Sequence, residues 1–151
     1  VDGADDALVS APFASGGAGL ISTASDYMRF AQMLANGGAL DGVRVLSQAG
    51  VDAMTTPHVP LEKMPAHMAG ANLSFGYSLG VVVDGPGRSP HRQVGDYGWG
   101  GYFDTNFFIS PSTGVVAVIM AQEQPGATTR EFTSARDVFD ALVYGALPTE
   151  S

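Results

Sequence analysis

The sequence predicts an α+β fold in which an antiparallel sheet packs against helices. Two segments, residues 23–36 and 128–145, combine helix-capping patterns with apolar residues at helical spacing. Between them lie runs with the alternating or continuous apolar character of strands, separated by turn signals.

Residues 1–19 are rich in Gly, Ala and Asp and read as a loop or extended lead-in. Within them Gly16-Gly17-Ala18-Gly19 reads as a tight turn, since no G-x-G-x-x-G pattern or Walker lysine follows that would make a phosphate cradle. Thr23-Ala24-Ser25-Asp26 fits a capping box. Tyr27, Phe30, Ala31 and Leu34 then recur on one face of a first helix, and Asn36-Gly37-Gly38 supplies its stop. Asp41-Gly42 marks a turn before a short extended piece, and Ser47 caps a second helix through Met54 that ends before Pro57. Residues 57–72 hold three prolines without clean periodicity and read as a long loop.

Strands dominate the next part. Leu73, Phe75, Tyr77, Leu79, Val81 and Val83 alternate as in one strand with a heavily buried face, which "GPGRSP" (residues 85–90) ends. Residues 92–103 and 104–110 read as extended, Pro111-Ser112-Thr113-Gly114 as a turn, and Val115 to Ala121 as a fully buried strand. The last helix begins at the box Thr128-Thr129-Arg130-Glu131 and ends at Gly145. Phe132, Ala135, Phe139, Leu142 and Val143 form the face expected to cover the sheet.

Composition removes several function classes. A formal charge of −8, with seven Lys and Arg scattered singly, provides no basic stripe for phosphates, so neither nucleic acid nor an anionic membrane is expected as partner. The sequence has no cysteine, which excludes disulfides, thiolate metal sites and thiol nucleophiles. His58, His67 and His91 lie in loops with no carboxylate at ligand spacing, so no metal and no cofactor is expected. No apolar run approaches membrane-spanning length, and cytoplasm and periplasm both suit the composition. The start, "VDGADDALVSAPFASGG", reads as the middle of something longer.

Gly98-Trp99-Gly100-Gly101 opens a segment that otherwise reads as strand. Glycine there marks a bulge, a bend, or a close approach of another backbone or a ligand. A bulged strand entry accounts for the tetrapeptide taken alone. Asp96 and Asp104 flank it and could be paired carboxylates, although the polarity of turns explains them more simply.

Taken together, "PFASGGAGLISTASDYMRFAQMLANGGALDGVRVLS", "FGYSLGVVV" and "YGWGGYFDTNFFISPSTGVVAVIMAQ" resemble the C-terminal part of serine β-lactamase-related hydrolases, the group of class C β-lactamases, D-alanyl-peptidases and family VIII esterases. The likeness covers nearly all of residues 12–144, with its three stretches in the family's order. It implies the C-terminal portion of the β-lactamase/penicillin-binding-protein-like (transpeptidase) fold. In the family a serine within S-x-x-K attacks a carbonyl, a tyrosine within Y-x-N or Y-x-S assists proton transfer, and a third motif lies on a sheet strand. That third motif is K-T-G in many lactamases and H-x-G or W-G-G in esterase-like members.

The resemblance places Trp99, Gly100 and Gly101 in the third motif as substrate-binding residues, with the backbone N–H of Tyr102 as an oxyanion donor. Trp99 then presents an aromatic wall where K-T-G presents a cation, which favours ester or small amide substrates. The other two motifs are absent. No serine stands three positions before Lys63, the single lysine, and none of the five tyrosines begins Y-x-N or Y-x-S. Residues 1–151 are therefore expected to be one C-terminal fragment of a β-lactamase-like domain, inactive alone. Its partners would be a small-molecule substrate and the N-terminal part of the same enzyme, with self-association of the isolated chain a further expectation. A non-catalytic binding or structural module that keeps the sheet is the other reading.

Overall fold

The computed structural model describes residues 16–17, 20–85, 89–122 and 135–148. The first helix, α1 (Ala24–Ala35), begins where the sequence predicts, with the Thr23 hydroxyl accepting from the Asp26 N–H. It ends on Gly37 and Gly38, both at positive φ, whose N–H groups donate to the Leu34 and Met33 carbonyls. A small hairpin, β1 (Ala39–Leu40) and β2 (Val43–Arg44), turns at Asp41-Gly42, and Ser47 caps α2 (Gln48–Thr55). The expected long loop contains a 3-10 turn at Leu61–Lys63 and a one-turn helix, α3 (Ala66–Ala69).

The main sheet has five strands among the described residues: β3 (Leu73–Phe75), β4 (Gly80–Val82), β5 (Tyr97–Gly100), β6 (Asn106–Ser110) and β7 (Val115–Ile119). They lie in that order, every neighbouring pair antiparallel. With the helices this is the α+β fold expected from the sequence.

Three strand assignments change. The alternation from Leu73 to Val83 belongs to a hairpin, not to one strand. Ser78 takes φ +67° at its tip, and Gly76 lies so close to α2 that a Cβ there would overlap the Met54 carbonyl. Leu79 and Val81 still reach the core, while Tyr77 projects from the tip. Residues 92–103 and 104–110 contribute only β5 and β6, because Asp104 at φ +66° reverses the chain between them. β7 is not fully buried: only Ala117 is, since β7 pairs with β6 alone among the described residues.

Alternation along β6 divides the packing between two faces. Phe107 and Ile109 join Val81 and Tyr97 against Ala31, Met33 and Leu34 of α1 and Val51 of α2. Tyr27 of α1 meets Phe107 edge-on at 5.2 Å and Phe30 at 5.5 Å. Leu34 is fully buried, whereas Phe30 is exposed at the outer edge of this face. Phe108 points the opposite way and is fully buried, stacked at 5.6 Å on Tyr144 and edge-on to Phe139 at 6.3 Å. Removing a ring of that size from water contributes roughly 2–3 kcal/mol.

The C-terminal helix, α4 (Ala135–Gly145), supplies this second face. The capping box at 128–131 and Phe132 lie outside the described residues. Leu142, expected in the apolar stripe, is 67% exposed, and the buried position on the helix is Asp140. The helix meets the sheet with a partly polar face. Its reason lies in the strand it covers.

Candidate active site

β5 is a strand whose two edges differ. β6 pairs with it from Tyr97 through Gly100, whereas β4 pairs only with Tyr97 and Gly98. Beyond Gly98 the edge facing β4 has no strand beside it among the described residues. The Gly101 N–H donates to the Thr105 carbonyl at 2.8 Å, on the β6 side. Because successive N–H groups of a strand alternate sides, the Gly100 N–H faces the edge that β4 has left.

Trp99 forms a wall beside that edge. Its indole is 41% exposed, packs 4.7 Å from the Phe75 ring, and lies over Gly80, where a Cβ would come within 3.1 Å of it. Tyr102 and Phe103 sit edge-on to one another at 5.2 Å at the exposed tip of the β5–β6 turn. Next to the motif opens a cavity of about 330 Å³, lined by Leu73, Val82, Asp96, Trp99, Gly100 and Arg136 among others.

The motif glycines accommodate the chain's own groups. A Cβ at Gly100 would stand 2.5 Å from Nη1 of Arg136, and one at Gly101 would overlap the Thr105 hydroxyl. Beside Gly100 the Arg136 side chain thus bounds the cavity on the α4 side.

Three side chains spaced by four along α4 tie the helix to the residues on either side of β5. Arg136 pairs with Asp104 through Nε at 2.6 Å, and its Nη2 donates to the Gly101 carbonyl. Asp140 accepts two hydrogen bonds from Arg92, at 2.8 Å from Nε and 3.0 Å from Nη2, and the Arg92 guanidinium lies 3.5 Å above the Phe108 ring. Tyr144 donates its hydroxyl to Asp96, which also accepts from the Gln93 N–H at 3.0 Å. Burial first, then this hydrogen bond, raises the Tyr144 phenol above the ordinary tyrosine range. Tyr144 is thus a fixed donor and a poor base.

Asp96 and Asp104 are consequently not the solvated turn residues that the sequence suggested. Both are buried, and each has its own partner on α4. Sequence reading missed Arg92, Arg136, Asp140 and Tyr144 altogether. The available signal was the four-residue spacing of Arg136, Asp140 and Tyr144, which puts three hydrogen-bonding groups on one helix face.

His58, His67 and His91 are exposed, as expected, and His58 stacks 4.5 Å from Tyr77. Among the described residues no three His, Cys, Asp or Glu side chains are grouped so as to hold a metal ion. Nor is any helix among them long and apolar enough to cross a membrane.

Residues 2–141 match the Beta-lactamase family. The chain belongs to that family. Its membership accords with the antiparallel sheet and with the helices on both of its faces. Two curated relatives from Mycobacterium tuberculosis are similar to it: Protein Rv1367c (strain ATCC 25618 / H37Rv) and Uncharacterized protein MT1414 (strain CDC 1551 / Oshkosh). Each is 35% identical over 125 residues, a match covering 75% of this chain and 30% of the relative. This Beta-lactamase family chain therefore spans less than a third of the curated relatives it matches, and the family is one of serine hydrolases.

Proposed function

We propose that this chain supplies the third motif and one oxyanion donor to an esterase-like serine hydrolase working through an acyl-enzyme. The observation that carries this reading is the edge of β5, which continues past the end of β4 through Trp99 and Gly100. An extended backbone with a bare edge can hold a substrate by main-chain hydrogen bonds, with the reacting carbonyl at its end.

In the proposed mechanism a serine–lysine pair outside these 151 residues provides the nucleophile and its base. The serine oxygen bonds to the substrate carbonyl carbon, its proton passes to the base, and the carbonyl oxygen becomes an oxyanion. The N–H of Tyr102 and that of the serine itself stabilise this oxyanion. Collapse expels the alcohol or amine, and water then hydrolyses the acyl-serine. Trp99 gives the bound group an apolar wall where other members hold a cation, so neutral esters or small amides fit better than substrates bearing a carboxylate.

The test is a fluorophosphonate label on two proteins, the full-length protein and these 151 residues alone. The full-length protein takes up one label on a serine outside the segment and hydrolyses p-nitrophenyl acetate. The segment does neither above background, since oxyanion donors without a nucleophile form no acyl-enzyme. A label on any serine within residues 1–151 overturns the assignment, and a full-length protein that takes none favours a non-catalytic module.

A further inference from the structure

We infer that Arg136 is a positioning residue for the Trp99-Gly100-Gly101 motif, holding the turn that carries Tyr102 in its working geometry. The inference rests on the catalytic reading above and adds a residue to it.

Four observations converge on Arg136. Its guanidinium donates to the Gly101 carbonyl, the peptide group whose N–H belongs to Tyr102. It pairs at 2.6 Å with Asp104, the residue whose φ of +66° reverses the chain between β5 and β6. It occupies the space that a side chain at Gly100 would need. Both partners of the ion pair are largely buried, with side-chain exposures of 17% and 13%, so solvent screens the attraction little.

One planar group therefore contacts the last strand residue of the motif, the carbonyl that follows it, and the hinge of the turn. A peptide plane is rigid, so fixing the Gly101 carbonyl fixes the direction of the Tyr102 N–H. Lysine, a point charge without the planar fork, cannot make these contacts together. A truncation in the opposite core, Val51→Ala of α2, lies away from this cavity and serves as the control for lost stability.

The experiment uses the full-length protein with Arg136→Ala, Arg136→Lys and, as control, Val51→Ala. For Arg136→Ala, the expected result is a fall in ester kcat on the order of a hundredfold, the scale of a misplaced reacting geometry, with KM nearly unchanged. Arg136→Lys restores little of it, and added guanidinium ion restores part. Val51→Ala lowers thermal stability while leaving kcat close to wild type. In parallel, hydrogen exchange read by mass spectrometry shows faster uptake in the peptide covering residues 97–105 of Arg136→Ala, with β7 unchanged.

Unchanged exchange in that peptide overturns the inference whether or not the protein proves to be an esterase. Faster exchange with unchanged kcat in an active enzyme overturns it as well. If the full-length protein shows no hydrolase activity, the catalytic reading fails and the exchange measurement alone decides whether Arg136 holds the turn.

Discussion

The Tyr144 hydroxyl donates to the Asp96 carboxylate, joining the end of the C-terminal helix to the residue immediately before the motif strand. Asp96 is fully buried, and its Oδ1 has no hydrogen-bond partner, so the Tyr144 hydroxyl and the Gln93 N–H, both on Oδ2, carry its satisfaction. Replacing Tyr144 with Phe keeps the stacking on Phe108 and removes the donor. Urea unfolding is expected to show a loss of about 1–3 kcal/mol, the cost of leaving a buried polar group underbonded. A loss below a few tenths would show that Asp96 finds another donor.

The same hydroxyl sets an alkaline limit. Burial raises the phenols of Tyr27, Tyr97 and Tyr144 above 10.0, with the bond to Asp96 adding to the effect at Tyr144. The folded chain thus keeps protons that the unfolded chain releases above about pH 10, so this stabilisation is complete below pH ~10 and is lost as pH rises further. Ultraviolet titration should show the ionisation of Tyr27, Tyr97 and Tyr144 coinciding with loss of structure. Ionisation of these three phenols in a protein that stays folded would contradict this.

Asp140 and Arg92 are both nearly inaccessible, with side-chain exposures of 6% and 11%. Arg92→Met strands a buried carboxylate and is expected to cost roughly 3–5 kcal/mol, whereas Arg92→Met with Asp140→Leu recovers most of the loss. Additive effects in that double-mutant cycle would mean that the two side chains act independently.

Gly101 illustrates how the tertiary structure alters an expectation from motif reasoning. A side chain there meets the Thr105 hydroxyl, so Gly101→Ala should destabilise the turn by roughly 1–3 kcal/mol besides any effect on turnover. Thr105→Ala in the same chain should relieve the clash. Chemical denaturation of the single and double variants measures the coupling, and equal stability of all of them would place the clash elsewhere.

The isolated segment is expected to self-associate. β7 pairs only with β6 among the described residues, and Leu142 and Phe30 expose apolar surface. Sedimentation at micromolar concentration should detect dimers or larger species. A monomer whose thermal stability is independent of concentration would mean that these faces need no cover.

Local chemistry made much of this legible beforehand. Caps at Thr23 and Ser47, the stop at Gly37-Gly38 and the turn at 111–114 are interactions among sequence neighbours, and all lie where the sequence put them. The sequence alone also determined that no S-x-x-K pair lies in the chain. Only the tertiary structure decided that Leu73–Val83 folds back on itself, because Gly76 must pass against the Met54 carbonyl and no nearby residue announces that contact. It also decided the roles of Asp96, Asp104, Asp140 and Arg136. Alternation and helical period report which side of an element faces inward, and they score a charge as outward. A buried charge is stable only beside a partner, and here partners such as Arg92 and Asp140, or Asp96 and Tyr144, lie 48 residues apart and meet only once the sheet and its last helix have assembled.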